Sequence, residues 1–187
     1  SAVLAQHARV IENITELPQL WDMFANTLEI LLSNGNYSTS AAIYRSLTTI
    51  LATVDVVPLH KWQQPVQRAF VLWSSKIPPE PKQQNTKQDN QAAFAAYADL
   101  ASDLYRLMSQ ELTEQQAATM IDNLFACVRE SKASYYGADV HAMSPLQDKV
   151  LKLLQSLRTD IPGSKPRLVT TAAAAVLLHT GTANQDN

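Results

Sequence analysis

The sequence predicts an all-α fold, because apolar residues recur at helical spacing along most of the chain and no convincing alternating strand pattern is present. Only 4 of the 187 residues are glycine, whereas a β-rich fold with many tight turns usually contains more. Hydrophobic residues make up 46% of the chain and charged residues 17%, values that are typical of an ordinary globular protein. A chain of this length can form one sizeable core, so we expect a single domain.

The first three predicted helices open the chain. Residues 2–14 predict a short amphipathic helix, and its helical spacing of apolar residues is already present at the start of the chain. We therefore expect the chain to be a fragment of a longer protein. A second helix begins near Pro18, since proline suits the first turn, and runs to about Ser33. It is apolar on two sides, and we expect it to be covered on more than one side. Ser38 or Ser40 caps a third helix, which packs antiparallel to the second because the turn between them is short.

The middle of the chain is interrupted by proline and by a polar stretch. Because Pro65 would remove a hydrogen bond in mid-helix, the fourth helix is expected to start near Gln64 or to be kinked there, with Trp62 in the connection before it. Residues 78–91 contain no apolar side chain apart from prolines, so burial cannot offset the entropy of ordering them. They predict a mobile exposed loop within the domain. A fifth helix is expected over residues 92–110.

The strongest helix signal covers residues 113–132. Thr113 and Gln116 have the spacing of a capping box. Cys127 is the only cysteine, which excludes an intramolecular disulfide, favours a cytosolic setting and indicates a small buried residue. Apolar residues then recur at helical spacing, which predicts an amphipathic helix with a buried face; they are Ala117, Met120, Ile121, Leu124 and Val128.

Two further helices complete the prediction. Ser144 and Gln147 form a second capping box, and Pro145 occupies the favoured first helical position. The last helix begins near residues 164–166, and residues 181–187 are expected to form a disordered tail.

Together these elements predict about eight helices in consecutive antiparallel pairs. Pairs of ~40 residues that each contact only their neighbours are typical of a HEAT/armadillo-like α-solenoid. We therefore expect one helical-repeat domain over residues 1–180. A closed helical bundle is the competing architecture, but the two-sided apolar patterns of the second and fifth helices favour the solenoid, in which inner helices lie between layers.

Residues suited to chemistry are few. The sequence has no HExxH or CxxC motif, no glycine-rich phosphate loop and no GxSxG motif, so it predicts no catalytic, cofactor-binding or metal-binding residue and no enzyme. The formal net charge of −2 provides no basic field for nucleic acid or anionic lipid. No apolar run reaches the ~18 residues of a membrane span, so we expect a soluble protein. The four histidines are scattered and share no metal-ligand spacing; they are His7, His60, His141 and His179.

Aromatic residues outside the apolar helix faces are the best candidates for a partner surface, because exposed aromatics mark interfaces. Three of them fall in predicted connections between helices. A small basic cluster formed by Lys61, Arg68 and Lys76 lies close to the first of the three. The candidate partner-binding residues are therefore Trp62, Arg68, Tyr135 and Tyr136.

Four stretches read together resemble a known family: LPQLWDMFANTLEILL, IYRSLTTIL, LTEQQAATMIDNLFACV and MSPLQDKVLKLL. They are similar to the C-terminal half of the monensin-sensitivity protein family. Its members are large HEAT-repeat proteins related to the big Arf guanine-nucleotide exchange factors, but they lack the catalytic exchange domain. The resemblance covers most of residues 15–158, and residues 78–91 depart from it.

The resemblance implies a cytoplasmic protein that is peripheral on Golgi and endosome membranes and acts as a non-catalytic scaffold in vesicle traffic. It implies protein partners, namely a Dopey-type protein, an Arf-like small GTPase and a phospholipid flippase, with indirect or peripheral membrane association. It supplies no catalytic residue. The alternative is the C-terminal regulatory HEAT region of an active large Arf exchange factor. The sequence leaves homo-oligomerisation open.

Overall fold

The computed structural model describes residues 17–34, 36–52, 59–75, 77–78, 87–131 and 144–182. Within these ranges the chain forms seven α-helices and no strand, so the all-α prediction is confirmed. The predicted helix over residues 2–14 lies outside them. We number the helices α1 (Leu17–Asn34), α2 (Tyr37–Leu51), α3 (Leu59–Ser75), α4 (Lys87–Met108), α5 (Glu114–Glu130), α6 (Pro145–Ser156) and α7 (Ser164–Thr182).

The chain divides into two compact units, Ser1–Met108 with helices α1 to α4 and Ser109–Asn187 with helices α5 to α7. A helical-repeat domain can be divided in this way, because each repeat contacts only its neighbours. A single domain over residues 1–180 therefore stays a prediction.

Helices α1 and α3 of the first unit pack side by side and run in the same direction. Near their N-terminal ends the rings of Trp21 and Trp62 meet edge to face, with centroids 6.1 Å apart. Further along both helices, Arg68 Nη2 donates to Asn26 Oδ1 at 2.5 Å and to Glu29 Oε2 at 3.3 Å. Because the contacting positions increase together in both helices, α1 and α3 are parallel.

Helices α2 and α4 also pack along each other in the same direction. The Tyr37 and Phe94 rings are 5.9 Å apart, and the Tyr44 and Tyr97 rings are 5.3 Å apart. Helices α1 and α2 contact each other, as do α3 and α4. The first unit is therefore two helical hairpins, α1 with α2 and α3 with α4, in which corresponding helices are parallel neighbours.

Side chains from α1, α2, α3 and α4 form the core of the first unit. Each helix directs large apolar residues inward, and burial of this area is the main stabilising contribution. The largest fully buried residues are Leu32, Tyr44, Leu47, Leu51, Leu72, Trp73, Phe94, Tyr97, Leu100 and Leu104.

The start of α3 differs from the prediction. The helix begins at Leu59 and Pro65 lies inside it, so the expected start near Gln64 is wrong, whereas the alternative of a kink there stays a prediction. Proline in a helix interior costs about 3 kcal/mol. That cost is offset because the earlier start places Trp62 in the core and Pro65 itself is buried. Burial of a large apolar side chain is worth about 1.5–3 kcal/mol, which is comparable to this cost, so tertiary packing can balance the local preference.

Two other helix starts also differ from the prediction. Asn36 caps α2, where Ser38 or Ser40 was expected; its Oδ1 accepts from the Thr39 backbone N–H at 2.9 Å. Helix α4 begins at Lys87, so residues 87–91 of the predicted 78–91 loop are helical. An acidic residue, Asp89, lies in the first turn of α4, where the helix dipole favours negative charge. Pro78 is buried, and residues 79–86 lie outside the described ranges.

Both predicted capping boxes are confirmed in the second unit. Thr113 Oγ1 accepts from the Gln116 backbone N–H at 3.2 Å, and Gln116 Oε1 accepts from the Thr113 backbone N–H at 3.0 Å. Ser144 and Gln147 repeat this exchange at 3.2 and 2.7 Å, with proline at the first position of α6. The N-terminal ends of α5 and α6 are therefore fixed by side chains three residues away.

Helix α5 packs against both α6 and α7. Its buried face includes Leu124 and Cys127, as predicted. An exposed ion pair joins it to α7: Arg167 Nε donates to Asp122 Oδ1 at 2.8 Å, and Nη2 donates to Oδ2. These bonds raise the pKa of the Arg167 guanidinium. Helix α7 starts at Ser164 as expected and continues to Thr182, into the predicted 181–187 tail.

Arg158 holds the connection between α6 and α7. Its Nη1 donates to the Ser109 carbonyl at 2.9 Å, and its Nε and Nη2 donate to the Asp160 carboxylate at 3.0 and 2.5 Å. The hydrogen bond from Arg158 lowers the pKa of the Asp160 carboxyl. One guanidinium thus fixes this connection against the segment that precedes α5.

Candidate interaction surface

Of the four predicted partner-binding residues, the structure describes two, and one of these, Trp62, is buried. Trp62 was expected in a connection, but it lies inside α3, is only 4% exposed and packs edge to face on Trp21. The prediction of Trp62 as a surface residue is wrong, because its indole completes the core between α1 and α3. Arg68 is partly exposed and bonds to α1. Tyr135 and Tyr136 lie outside the described residues.

Helix α1 instead carries a row of large apolar side chains on its outer side. Their exposed fractions range from 36% for Phe24 to 68% for Met23. Residues three, four, seven and eleven positions apart lie on one face of an α-helix, so the row spans about three turns, or ~16 Å. We call this row the α1 stripe; it consists of Leu20, Met23, Phe24, Ile30 and Leu31.

The opposite side of α1 faces the core of the first unit and is formed by Trp21, Ala25, Leu28 and Leu32. The sequence correctly indicated that α1 is apolar on two sides, but among the described residues only this inner side is buried. The sequence did not predict the α1 stripe as a surface, because both apolar sides of this helix were expected to be covered. A rotation of ~100° per residue separates Leu20 from Trp21 and was the signal that could have distinguished the two faces.

The α1 stripe carries no charge. Residues 17–34 contain no Lys or Arg, and their two acidic residues lie on the side that faces α3. Gln64 Nε2 donates to Asp22 Oδ2 at 3.5 Å, and Arg68 forms an ion pair with Glu29 at 3.3 Å. The α1 stripe is therefore an apolar surface beside, but separate from, a polar contact between α1 and α3.

Metal-binding groups and the one cysteine can be assessed for the described residues. The described part of the chain has no cluster of three His, Cys, Asp or Glu side chains that could hold a metal ion. Burial raises the pKa of the Cys127 thiol to about 12, so it is not a thiolate nucleophile near neutral pH. His60 and His179 lie in α3 and α7, whereas His7 and His141 fall outside the described residues.

None of the described helices α1 to α7 combines the length and the apolarity that a span of the bilayer requires.

The first unit therefore combines two helical hairpins with the α1 stripe, which can bind another apolar surface.

The resemblance to the monensin-sensitivity protein family stays a prediction. Comparison of the chain with models of protein families, with curated proteins and with solved structures finds no match.

Proposed function

We propose that the chain is part of a non-catalytic helical-repeat scaffold that binds protein partners in Golgi and endosome vesicle traffic. The observation that supports this proposal is the arrangement of the first unit. Corresponding helices of two consecutive hairpins are parallel neighbours, α1 beside α3 and α2 beside α4. Consecutive HEAT and armadillo repeats stack in this way. An up-and-down four-helix bundle has a different arrangement, in which each helix packs antiparallel against the next one in sequence. In such a bundle α2 would pack along α3.

The vesicle-traffic assignment comes from the family resemblance. Two of the four stretches that carry it lie on α1 and α2. A third supplies the N-terminal cap and most of α5, and the fourth, from Ser144 onward, supplies the N-terminal cap and most of α6. The partners that follow from it are a Dopey-type protein, an Arf-like small GTPase and a phospholipid flippase. Association with Golgi and endosome membranes is then peripheral or indirect.

Direct binding of purified components tests the proposal. The chain is immobilised and exposed to a purified Dopey-type protein and to an Arf-like GTPase loaded with GDP or with a GTP analogue. We expect saturable binding of at least one of them. Arg68→Gln should weaken it while far-UV circular dichroism stays unchanged, since Arg68 is the described candidate residue on the surface and glutamine places no second negative charge beside Glu29. Arg129→Gln on the exposed side of α5 is the control. A folded chain that binds neither class overturns the proposal.

The alternative function, a regulatory region of an active Arf exchange factor, is distinguished by nucleotide release. The chain is added to an Arf-type GTPase that carries a fluorescent guanine nucleotide. A pure scaffold leaves the release rate unchanged. Acceleration of release by the chain would contradict the scaffold and support the alternative.

A further inference from the structure

We propose that Met23 is a site of reversible oxidation, at which a peroxide converts the thioether of the side chain to a sulfoxide. The inference rests on the exposure of the sulfur-bearing side chains and is independent of the vesicle-traffic proposal. Three of the four methionines lie in the described part of the chain. Met23 is 68% exposed, whereas Met108 and Met120 are 4% and 0% exposed. Because oxidation follows accessibility, Met23 is the described methionine that a peroxide in solution reaches most readily.

The packing of α1 on α3 fixes the outward direction of the Met23 side chain. The two residues before it hold this turn of α1 in place: Trp21 packs edge to face on Trp62, and Asp22 accepts a hydrogen bond from Gln64 Nε2 at 3.5 Å. A helix rotates by ~100° per residue, so Met23 lies ~200° from Trp21 and nearly opposite its buried indole. The exposure of Met23 is therefore a property of the packed helix and not of a frayed end.

The one cysteine does not compete with Met23 for the oxidant. Cys127 is buried, and burial raises the pKa of its thiol to about 12. The thiolate is the form of cysteine that peroxides oxidise, and it is scarce in a thiol with this pKa near neutral pH. Among the described methionines and the cysteine, Met23 is therefore the first expected to react.

The chemical step needs only the peroxide as co-reactant. A lone pair of the Met23 sulfur attacks one peroxide oxygen, the S–O bond forms and the O–O bond breaks. The sulfur is oxidised by two electrons and the peroxide is reduced by two. With hydrogen peroxide, the proton of the transferred oxygen passes to the departing hydroxide, which leaves as water. Methionine sulfoxide reductases reverse the oxidation, with one enzyme for each epimer of the sulfoxide.

Oxidation at this position changes the surface and leaves the core intact. Methionine sulfoxide is polar, whereas the thioether is apolar. Met23 belongs to the α1 stripe, and its side chain contributes nothing to the buried side of α1. The modification therefore places a polar group in an apolar surface while the fold is retained, and it should weaken contacts of the α1 stripe with other apolar surfaces.

Peptide mapping by mass spectrometry tests the site. The native chain is treated with dilute hydrogen peroxide, and the sulfoxide at each methionine is followed over time. Met23 should react at least about tenfold faster than Met108 and Met120, and in urea the three rates should become similar. Addition of both methionine sulfoxide reductases should restore the thioether. A native Met23 that reacts no faster than Met108 and Met120, or a sulfoxide that neither enzyme reduces, overturns the proposal.

Retention on a phenyl column measures the effect on the surface. The chain oxidised at Met23 should elute earlier than the untreated chain, return to the original retention after treatment with the reductases, and keep its far-UV circular dichroism spectrum. Met23→Leu is the matched control, because leucine keeps the position apolar and has no sulfur; its retention should not change with peroxide. Equal shifts for the wild type and for Met23→Leu would place the reactive group elsewhere and contradict the proposal.

Discussion

Trp73 and Tyr97 each bond to the backbone of the other. The Trp73 indole N–H donates to the Tyr97 carbonyl at 3.1 Å, and the Tyr97 hydroxyl donates to the Trp73 carbonyl at 3.2 Å. Their rings are stacked with centroids 5.0 Å apart, and both side chains are fully buried. Trp73 lies in the last turn of α3, where carbonyl groups have no partner within the helix. The tyrosine thus caps α3 from α4, inside the core.

Removing the Tyr97 hydroxyl should destabilise the first unit. Tyr97→Phe leaves the Trp73 carbonyl buried without this bond, at a cost of about 1–3 kcal/mol. The free energy of unfolding in urea measures the loss. Val71→Ala, at an exposed position of the same helix, is the control and should stay within about 0.5 kcal/mol of the wild type. Equal unfolding midpoints for Tyr97→Phe and the wild type would show that the bond does not contribute.

Leu124 lies on the buried side of α5, and Asp122 lies on its exposed side. Leu124 is fully buried, so Leu124→Asp places a carboxylate without a partner in the core and should cost at least about 3 kcal/mol. Asp122→Ala removes only the exposed ion pair with Arg167, and the protein should remain folded with a small change in melting temperature. Thermal melts check both variants. If Leu124→Asp melts at the wild-type temperature, the buried position of this side chain is wrong.

The sequence predicted most accurately those helix starts that depend on residues close together in the chain. The capping boxes at Thr113 and Ser144 could be identified because both partners lie three positions apart, and each fixes a helix start whatever packs around it. The start of α3 could not be predicted in this way. Pro65 is unfavourable in a helix locally, and it is tolerated because Trp62 packs against Trp21, a residue that is distant in sequence.

The surface was harder to predict than the helices for the same reason. The apolar residues of α1 indicated two apolar sides but not which one the protein buries. That choice is made by Arg68 and Trp62 of α3, which fix the orientation of α1. Trp62 was therefore predicted on the surface, and both apolar sides of α1 were expected to be covered, whereas the structure buries Trp62 and leaves Leu20 51% exposed.

Cys127 should be unreactive in the folded protein, and its thiol should make the free energy of unfolding decrease at alkaline pH. Burial raises the pKa of its thiol to about 12, above the ordinary value of about 8.5. The folded state therefore favours the protonated thiol. This stabilisation is fully present below the ordinary pKa and is lost as the pH rises toward 12.

Two measurements check the behaviour of Cys127. A thiol reagent at pH 8 should label the native chain much more slowly than the chain in urea. The difference in unfolding free energy between the wild type and Cys127→Ala should become smaller from pH 7 to pH 10, since other titrating groups cancel in the comparison. Rapid labelling under native conditions would show that the thiol is accessible.

Gly163 should resist substitution because of its backbone conformation. It precedes α7 with a φ of 77°, a region that costs residues with a side chain about 1–2 kcal/mol. A Cβ atom at this position would also lie 2.7 Å from Glu114 Oε1, at the flexible end of an exposed side chain. Gly163→Ala should therefore lower the free energy of unfolding by about 1–2 kcal/mol, and Gly163→Asn by less, since Asn tolerates positive φ.

A double variant separates the two contributions at Gly163. Combining Gly163→Ala with Glu114→Ala removes the close contact with Glu114 but keeps the unfavourable φ. Because the glutamate side chain can rotate away at little cost, we expect the double variant to retain most of the loss seen in Gly163→Ala, after correction for Glu114→Ala alone. Urea unfolding of all three variants measures this. Full recovery in the double variant would mean that the contact with Glu114, rather than the left-handed backbone, requires glycine before α7.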